Sequence, residues 1–167
     1  GLAPGSYTVR VDSDAFLIKM ESVEVRPRED ATPTITMVPR PRQALVVVRS
    51  REIQIRRQIN FATNSADILP SSEPLMTEIA DVFIRNPQIT KVEIQGHTDN
   101  TGPEQRNREL SQQRADAVRQ WLVDHGVAIT RLDARGYGPD RPLVPNITPA
   151  NRARNRRVQF VIQEQSE

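Results

Sequence analysis

Gly96-His97-Thr98-Asp99-Asn100-Thr101-Gly102 is the stretch on which both fold and chemistry turn. It follows an alternating apolar run at 92–96, which reads as a core strand, and it feeds a segment at 104–125 that reads as one long helix. A passage of Gly, Asn, Asp and Thr between two such elements is a turn. Asp99 therefore closes the strand, and Arg114 follows fifteen positions later (114 minus 99) on the helix. A carboxylate and a guanidinium held at one junction can grip an ammonium and a carboxylate on the same ligand carbon. The pair predicts recognition of a zwitterionic head group.

The helix sharpens that expectation. At about 100° per residue, Leu110, Val118, Trp121 and Leu122 fall on one face, with Glu109, Gln112, Gln113, Asp116, Arg119 and Gln120 opposite. Asn107, Ser111 and Arg114 lie on the apolar face. A helix that only packs would carry Leu, Ala or Val there, because an unpaired buried charge costs several kcal/mol. Two readings stay open from the pattern alone: Arg114 serves a ligand, or it forms an internal ion pair with Asp99 or another carboxylate.

Further motifs extend outward in order. Ile59-Asn60-Phe61-Ala62-Thr63-Asn64 stands before the turn on what reads as a first strand, and Val118, Gly126-Val127 and Arg135-Gly136-Tyr137-Gly138 follow it. Pro142, Asn146 and Asn155-Arg156-Arg157-Val158 complete the series. Taken together, residues of about 44–165 resemble the OmpA-like C-terminal domain, the module that ties outer-membrane proteins and lipoproteins to peptidoglycan. The resemblance implies a ligand, the diaminopimelate residue of the stem peptide, with the position of Asp99 taking its ammonium and that of Arg114 its carboxylate. Asn64, Thr101, Asn107 and Arg156 occupy positions that add hydrogen bonds. It also implies a place at the periplasmic face of the outer membrane or in the cell envelope. All six residue types are present here.

The remaining pattern agrees with an α/β (α+β) sandwich, a βαβαβ-β mixed sheet with helices packed on it. An apolar strand is expected at 44–51 and another at 52–61, where Ile53, Ile55, Ile59 and Phe61 share a face that Arg57 interrupts. A helix starts at Pro70-Ser71-Ser72-Glu73-Pro74 and stops at Asn86-Pro87, with Leu75, Ile79, Val82 and Phe83 inward. Gly126 stops the second helix, whose free N-terminal amides are expected to aid carboxylate binding. Strands are predicted at 132–136 and through Val158, Phe160 and Ile162.

Residues 1–38 have a different texture. Three alternating runs, 7–11, 23–25 and 34–38, read as antiparallel strands. They resemble the closing strands of a carboxypeptidase-regulatory-like sandwich module, too few to close two sheets by themselves. A Pro/Arg linker at 39–43 precedes the domain at 44–167. The segment 1–38 is thus expected to be a partial antiparallel β module, and the chain an excised part of an exported protein, with any membrane attachment supplied by parts upstream.

Composition narrows the alternatives. The absence of cysteine removes disulfides, thiolate metal sites and cysteine nucleophiles. No apolar run approaches the roughly 20 residues of a spanning helix. The pI of about 9.5 coexists with a net charge of only +2, because Lys19 and Lys91 are the only lysines and arginine stays protonated to very high pH. Such a pI is weak support for nucleic acid, and the dense run Arg152, Arg154, Arg156 and Arg157 has few aromatics nearby to stack bases. His97 and His125 are the only histidines, so neither a two-histidine metal site nor a serine-type hydrolase finds support, and no Gly-x-Ser-x-Gly elbow is present. The expectation is a non-catalytic peptidoglycan-binding domain that needs no cofactor or metal, binds no nucleic acid and leaves oligomeric state open. A structural or nucleic-acid-binding module with an Asp99/Arg114 ion pair is the alternative.

Overall fold

Tyr7, Val9 and Val11 alternate with Ser6, Thr8 and Arg10. In the computed structural model, which describes residues 1–166, this run is strand β1 (Gly5–Val11), paired antiparallel with β2 (Lys19–Val25) from Gly5↔Val25 to Val11↔Lys19. By its internal contacts the chain divides into two units, Gly1–Gln43 and a second beginning at Ala44. In the first, Leu17 and Ile18 are buried. The expected third strand at 34–38 does not form. Its only pairing is an isolated bridge between Phe16 and Pro39, with Leu17 N–H donating to Val38 O at 2.9 Å and Arg40 N–H to Ala15 O at 2.9 Å. Pro33 and Pro39 flank the run and offer no N–H to extend a ladder beyond it.

Among the described residues the second unit is a mixed five-stranded sheet, as the alternation of elements predicts, with two long helices and a short third one in a segment whose pattern fits a short helix or a loop. Its strands are β3 (Val46–Val48), β4 (Glu52–Ile55), β5 (Ile89–His97), β6 (Leu132–Gly138) and β7 (Arg157–Gln165), in the spatial order β3-β4-β7-β5-β6. Only β5 and β6 run parallel, joined through helix α2 (Glu104–Asp124). Helix α1 (Glu73–Arg85) follows a 3-10 turn at Pro70–Ser72, and a short α3 (Pro149–Asn155) precedes β7. The inward residues of α1 meet the sheet as their spacing requires, and Phe83 packs edge-on against Phe160 with ring centroids 6.5 Å apart. Full burial of such side chains contributes about 1.5–3 kcal/mol each. No helix among the described residues is long and apolar enough to cross a membrane.

Two departures shape the site. The apolar run at 44–51 yields only the three-residue β3, which turns through Arg49 N–H to Glu52 O at 2.8 Å into β4. Buried Glu78 of α1 fastens β3 instead, accepting the N–H groups of Leu45 at 2.7 Å and Val46 at 3.0 Å. The motif at 59–64 is not a strand: the chain leaves the sheet after Ile55, and Phe61 retains only an isolated bridge to Ile68. Asn64 takes the left-handed conformation at φ +52°, which a strand excludes, and Ala62 N–H donates to Asp67 O at 2.9 Å to close the loop.

Candidate functional site

Helix α2 reaches the sheet because two positions have no side chain. A Cβ on Gly96 would lie 2.0 Å from the Ser111 carbonyl oxygen, and one on Gly136 would lie 2.3 Å from the Gln112 nitrogen. The helix backbone therefore sits directly on the ends of β5 and β6. Gln112, expected on the solvent face, clasps β6 by donating to Ala134 O at 3.1 Å and accepting Gly136 N–H at 2.8 Å. Ser111 Oγ accepts Gly138 N–H at 2.9 Å. A hydrophobicity wheel misses both polar contacts because their partners are backbone groups of another strand.

This docking fixes the turn after β5. Thr98 N–H donates to Gly138 O at 2.9 Å, and Asp99 Oδ1 accepts Thr101 N–H at 2.8 Å in a local side-chain turn. Asn107 of α2 holds the same loop by donating to Thr101 O at 3.0 Å. Gly102, at φ +84°, then swings the chain outward. As a result residues 104–106, which carry the first-turn amides of α2, are exposed and do not line the cavity described next, contrary to the expectation of a helix-terminus contribution.

Asn64, Asp99, Thr101, Asn107, Arg114 and Arg156 all line one open cavity of about 580 Å³. They arrive from the 60–69 loop, the turn after β5, helix α2 and the end of α3. The two principal charges do not pair with each other. Asp99 Oδ2 accepts Arg156 Nη1 at 2.5 Å, so the Asp99/Arg114 ion pair of the alternative reading does not form and Asp99 pairs with Arg156. Arg114 donates from Nε to Ser65 O at 3.0 Å and stacks its guanidinium 4.9 Å above the Phe61 ring centroid. Among the described residues no carboxylate lies within ion-pair distance of it.

The electrostatics follow from this arrangement. Burial alone would push the Asp99 carboxyl up, but the hydrogen bond from Arg156, those from the Thr101 amide and hydroxyl, and the Arg156 charge hold it below the usual aspartate range. Asp99 is therefore an anion at neutral pH, with one lone-pair position left beside these three hydrogen bonds. Burial, and then the nearby Arg156 charge, lower the pKa of Arg114, which stays a cation at neutral pH. Arg114 is thus a half-buried positive charge without an anionic partner.

Phe61 and Ser65 were invisible as site residues. Phe61 reads as strand core, and Ser65 contributes a carbonyl, which no side-chain pattern reports. His97 also borders the cavity, yet it is 2% exposed and stacks on Tyr137 at 5.5 Å, and neither ring nitrogen has a hydrogen-bond partner among the described residues. Burial, with the charges of Arg157 and Arg141, lowers its pKa to about 3.

Residues 60–156 match the family described as the OmpA family. Outer membrane porin F of Pseudomonas fluorescens is 40% identical over 115 residues, covering 69% of this chain and 35% of the porin. Peptidoglycan-binding protein ArfA of Mycobacterium bovis is 39% identical over 104 residues, covering 62% of this chain and 32% of ArfA. Among solved structures, the peptidoglycan-associated lipoprotein from Burkholderia pseudomallei superposes with a TM-score of 0.58 at 32% identity, covering 64% of this chain and 90% of that one. The chain spans between about a third and a half of the length of the curated relatives it matches.

Proposed function

Because the chain belongs to the OmpA family, we propose that its second unit binds peptidoglycan without catalysis and holds a larger envelope protein to the cell wall, on the periplasmic side of the outer membrane. The names of two relatives, a peptidoglycan-binding protein and a peptidoglycan-associated lipoprotein, support the class of ligand. The ligand group is the diaminopimelate of the stem peptide. The observation that carries this reading is Arg114: a guanidinium half-buried at a cavity wall, oriented by Ser65 O and Phe61, with no carboxylate among the described residues in reach. A half-buried charge left unpaired is costly in the empty protein, and an incoming carboxylate offsets that cost.

The rest of the cavity completes a zwitterion clamp. The ligand ammonium approaches Asp99, where three hydrogen bonds, two from Thr101 and one from Arg156, leave one of the four lone-pair positions of the carboxylate for it. Arg156 need not leave. Asn64, Thr101 and Asn107 line the same space with polar groups. Binding then exchanges water for two charge-assisted contacts, worth on the order of 1.5–3 kcal/mol each.

The test uses the full chain, purified sacculi and two alanine variants. Asp99→Ala and Arg114→Ala should both stay folded. Arg156 is 48% exposed, so it is not stranded in the interior when Asp99 goes, and removing Arg114 deletes an uncompensated charge. Melting temperatures should shift by no more than about 2–4 °C. Both variants should lose cosedimentation with sacculi, as should Arg114→Lys, since an ammonium cannot reproduce the guanidinium fork. Free diaminopimelate should compete with the polymer, and lysine blocked at both α-groups, whose remaining ammonium has no carboxylate on its carbon, should not. Folded variants that still cosediment, or equal competition by the blocked lysine, overturn the assignment.

A further inference from the structure

A second groove, of about 460 Å³, runs beside the first cavity, and Gln58, Arg157 and Val158 line both. It lies along β4 and the start of β7. Arg56, Arg57, Arg154 and Arg157 line it against a single carboxylate, Glu52. That is a local excess of three positive charges in a chain whose total is only +2. A general net positive charge therefore does not account for it. The side chains of Arg56, Arg57 and Arg154 are exposed and have no hydrogen-bond or ion-pair partner among the described residues. Arg157 gives its donors to Gln159 Oε1 at 2.9 Å and to the carbonyls of Asn155 and Arg141 at 3.1 and 3.0 Å, so it too meets no anion. Burial lowers its pKa to about 10. Like charges gathered at one groove repel in the empty protein and attract an anion.

We propose that this groove is a second subsite, which takes a further carboxylate of the same stem peptide whose diaminopimelate enters the first cavity. The proposal rests on the reading of that cavity given above. The common wall at Gln58 and Arg157 lets one extended peptide lie across both. Stem peptides offer two such carboxylates, the α-carboxylate of the γ-linked glutamate and the chain-terminal carboxylate of alanine, and their chemistry at the groove is the same. Leu143, 54% exposed in the groove, presents an apolar surface of a size to meet an alanine methyl. Nucleic acid fits less well: Phe160 is the only aromatic in the groove and is 1% exposed, so no ring is available for base stacking.

Calorimetric titration of the full chain with free diaminopimelate and with a soluble stem tetrapeptide tests this. The double variant Arg56→Gln, Arg154→Gln removes two exposed charges and leaves the first cavity intact. It should bind diaminopimelate within about twofold of the unmodified chain and the tetrapeptide at least about tenfold more weakly. Amidating either the glutamate carboxylate or the terminal carboxylate should reproduce that loss on the unmodified chain, and whichever does identifies the group. Equal tetrapeptide binding by variant and unmodified chain overturns the groove alone, as does indifference to both amidations. Tighter displacement by a short DNA duplex than by tetrapeptide also overturns it. An unmodified chain that binds no diaminopimelate overturns the reading of the first cavity instead.

Discussion

His97 shows how one buried side chain makes stability depend on pH. An imidazole in the unfolded chain titrates near 6.5, whereas burial and the guanidiniums of Arg157 and Arg141 hold the folded one to about 3. Between those values the unfolded state binds the extra proton. Stability therefore rises with pH across the window, is complete above the unfolded value and is lost progressively as pH falls toward the folded one. From pH 7 to pH 4.5 this residue alone should cost about 2–3 kcal/mol. His97→Phe keeps a ring against Tyr137 and cannot take the proton, so urea midpoints should fall less steeply with acid than in the unmodified chain. Parallel slopes for the two proteins would show that His97 is not held neutral. At the same scale, Asp99 and Arg114 were legible from residue type and spacing, whereas the choice of Arg156 as the Asp99 partner was not. That choice depends on where the end of α3 comes to rest.

The junction of β5, β6 and α2 carries the proposed clamp, and its tolerance is set by contact between backbones. Gly96→Ala would put a methyl 2.0 Å from a carbonyl oxygen that a 21-residue helix holds in place. Relief requires moving α2 off the sheet, so the loss should be at least about 3 kcal/mol. Gly102→Ala is a different case. Its Cβ would meet nothing, but φ is +84°, and the cost should be near 1 kcal/mol with little change in the packing of α2. Thermal melts of the two variants should thus separate widely, and comparable shifts would mean that α2 is less rigidly seated than the contact implies. Element types and most bounds were legible here, since apolar periodicity and the Pro and Gly stops are local signals. The strand expected at 59–64 failed because its alternation continues through a loop. Phe61 faces inward in both conformations, and period alone cannot separate them.

At the scale of the whole molecule, every residue of the proposed clamp belongs to the unit that begins at Ala44. A fragment of residues 44–167 should fold and cosediment with sacculi as the full chain does, which assigns residues 1–43 another role. A folded fragment that no longer cosediments would place part of the site in the first unit. Sequence by itself determined the order of elements in the second unit, the turn that presents Asp99 and the polar residues on the inner face of α2. Those properties reside in neighbours along the chain, where backbone sterics and side-chain periodicity act directly. Tertiary structure alone decided that Asp99 answers Arg156, that Arg114 is left without an anion over Phe61, and that four arginines share a groove beside the cavity. Each of these joins groups far apart in the chain, Asp99 to Arg156 across 57 positions and Arg114 to Ser65 across 49. Only the docking of α2 and α3 on the sheet sets such distances, and an ion pair falls off with distance in space whatever the separation in sequence.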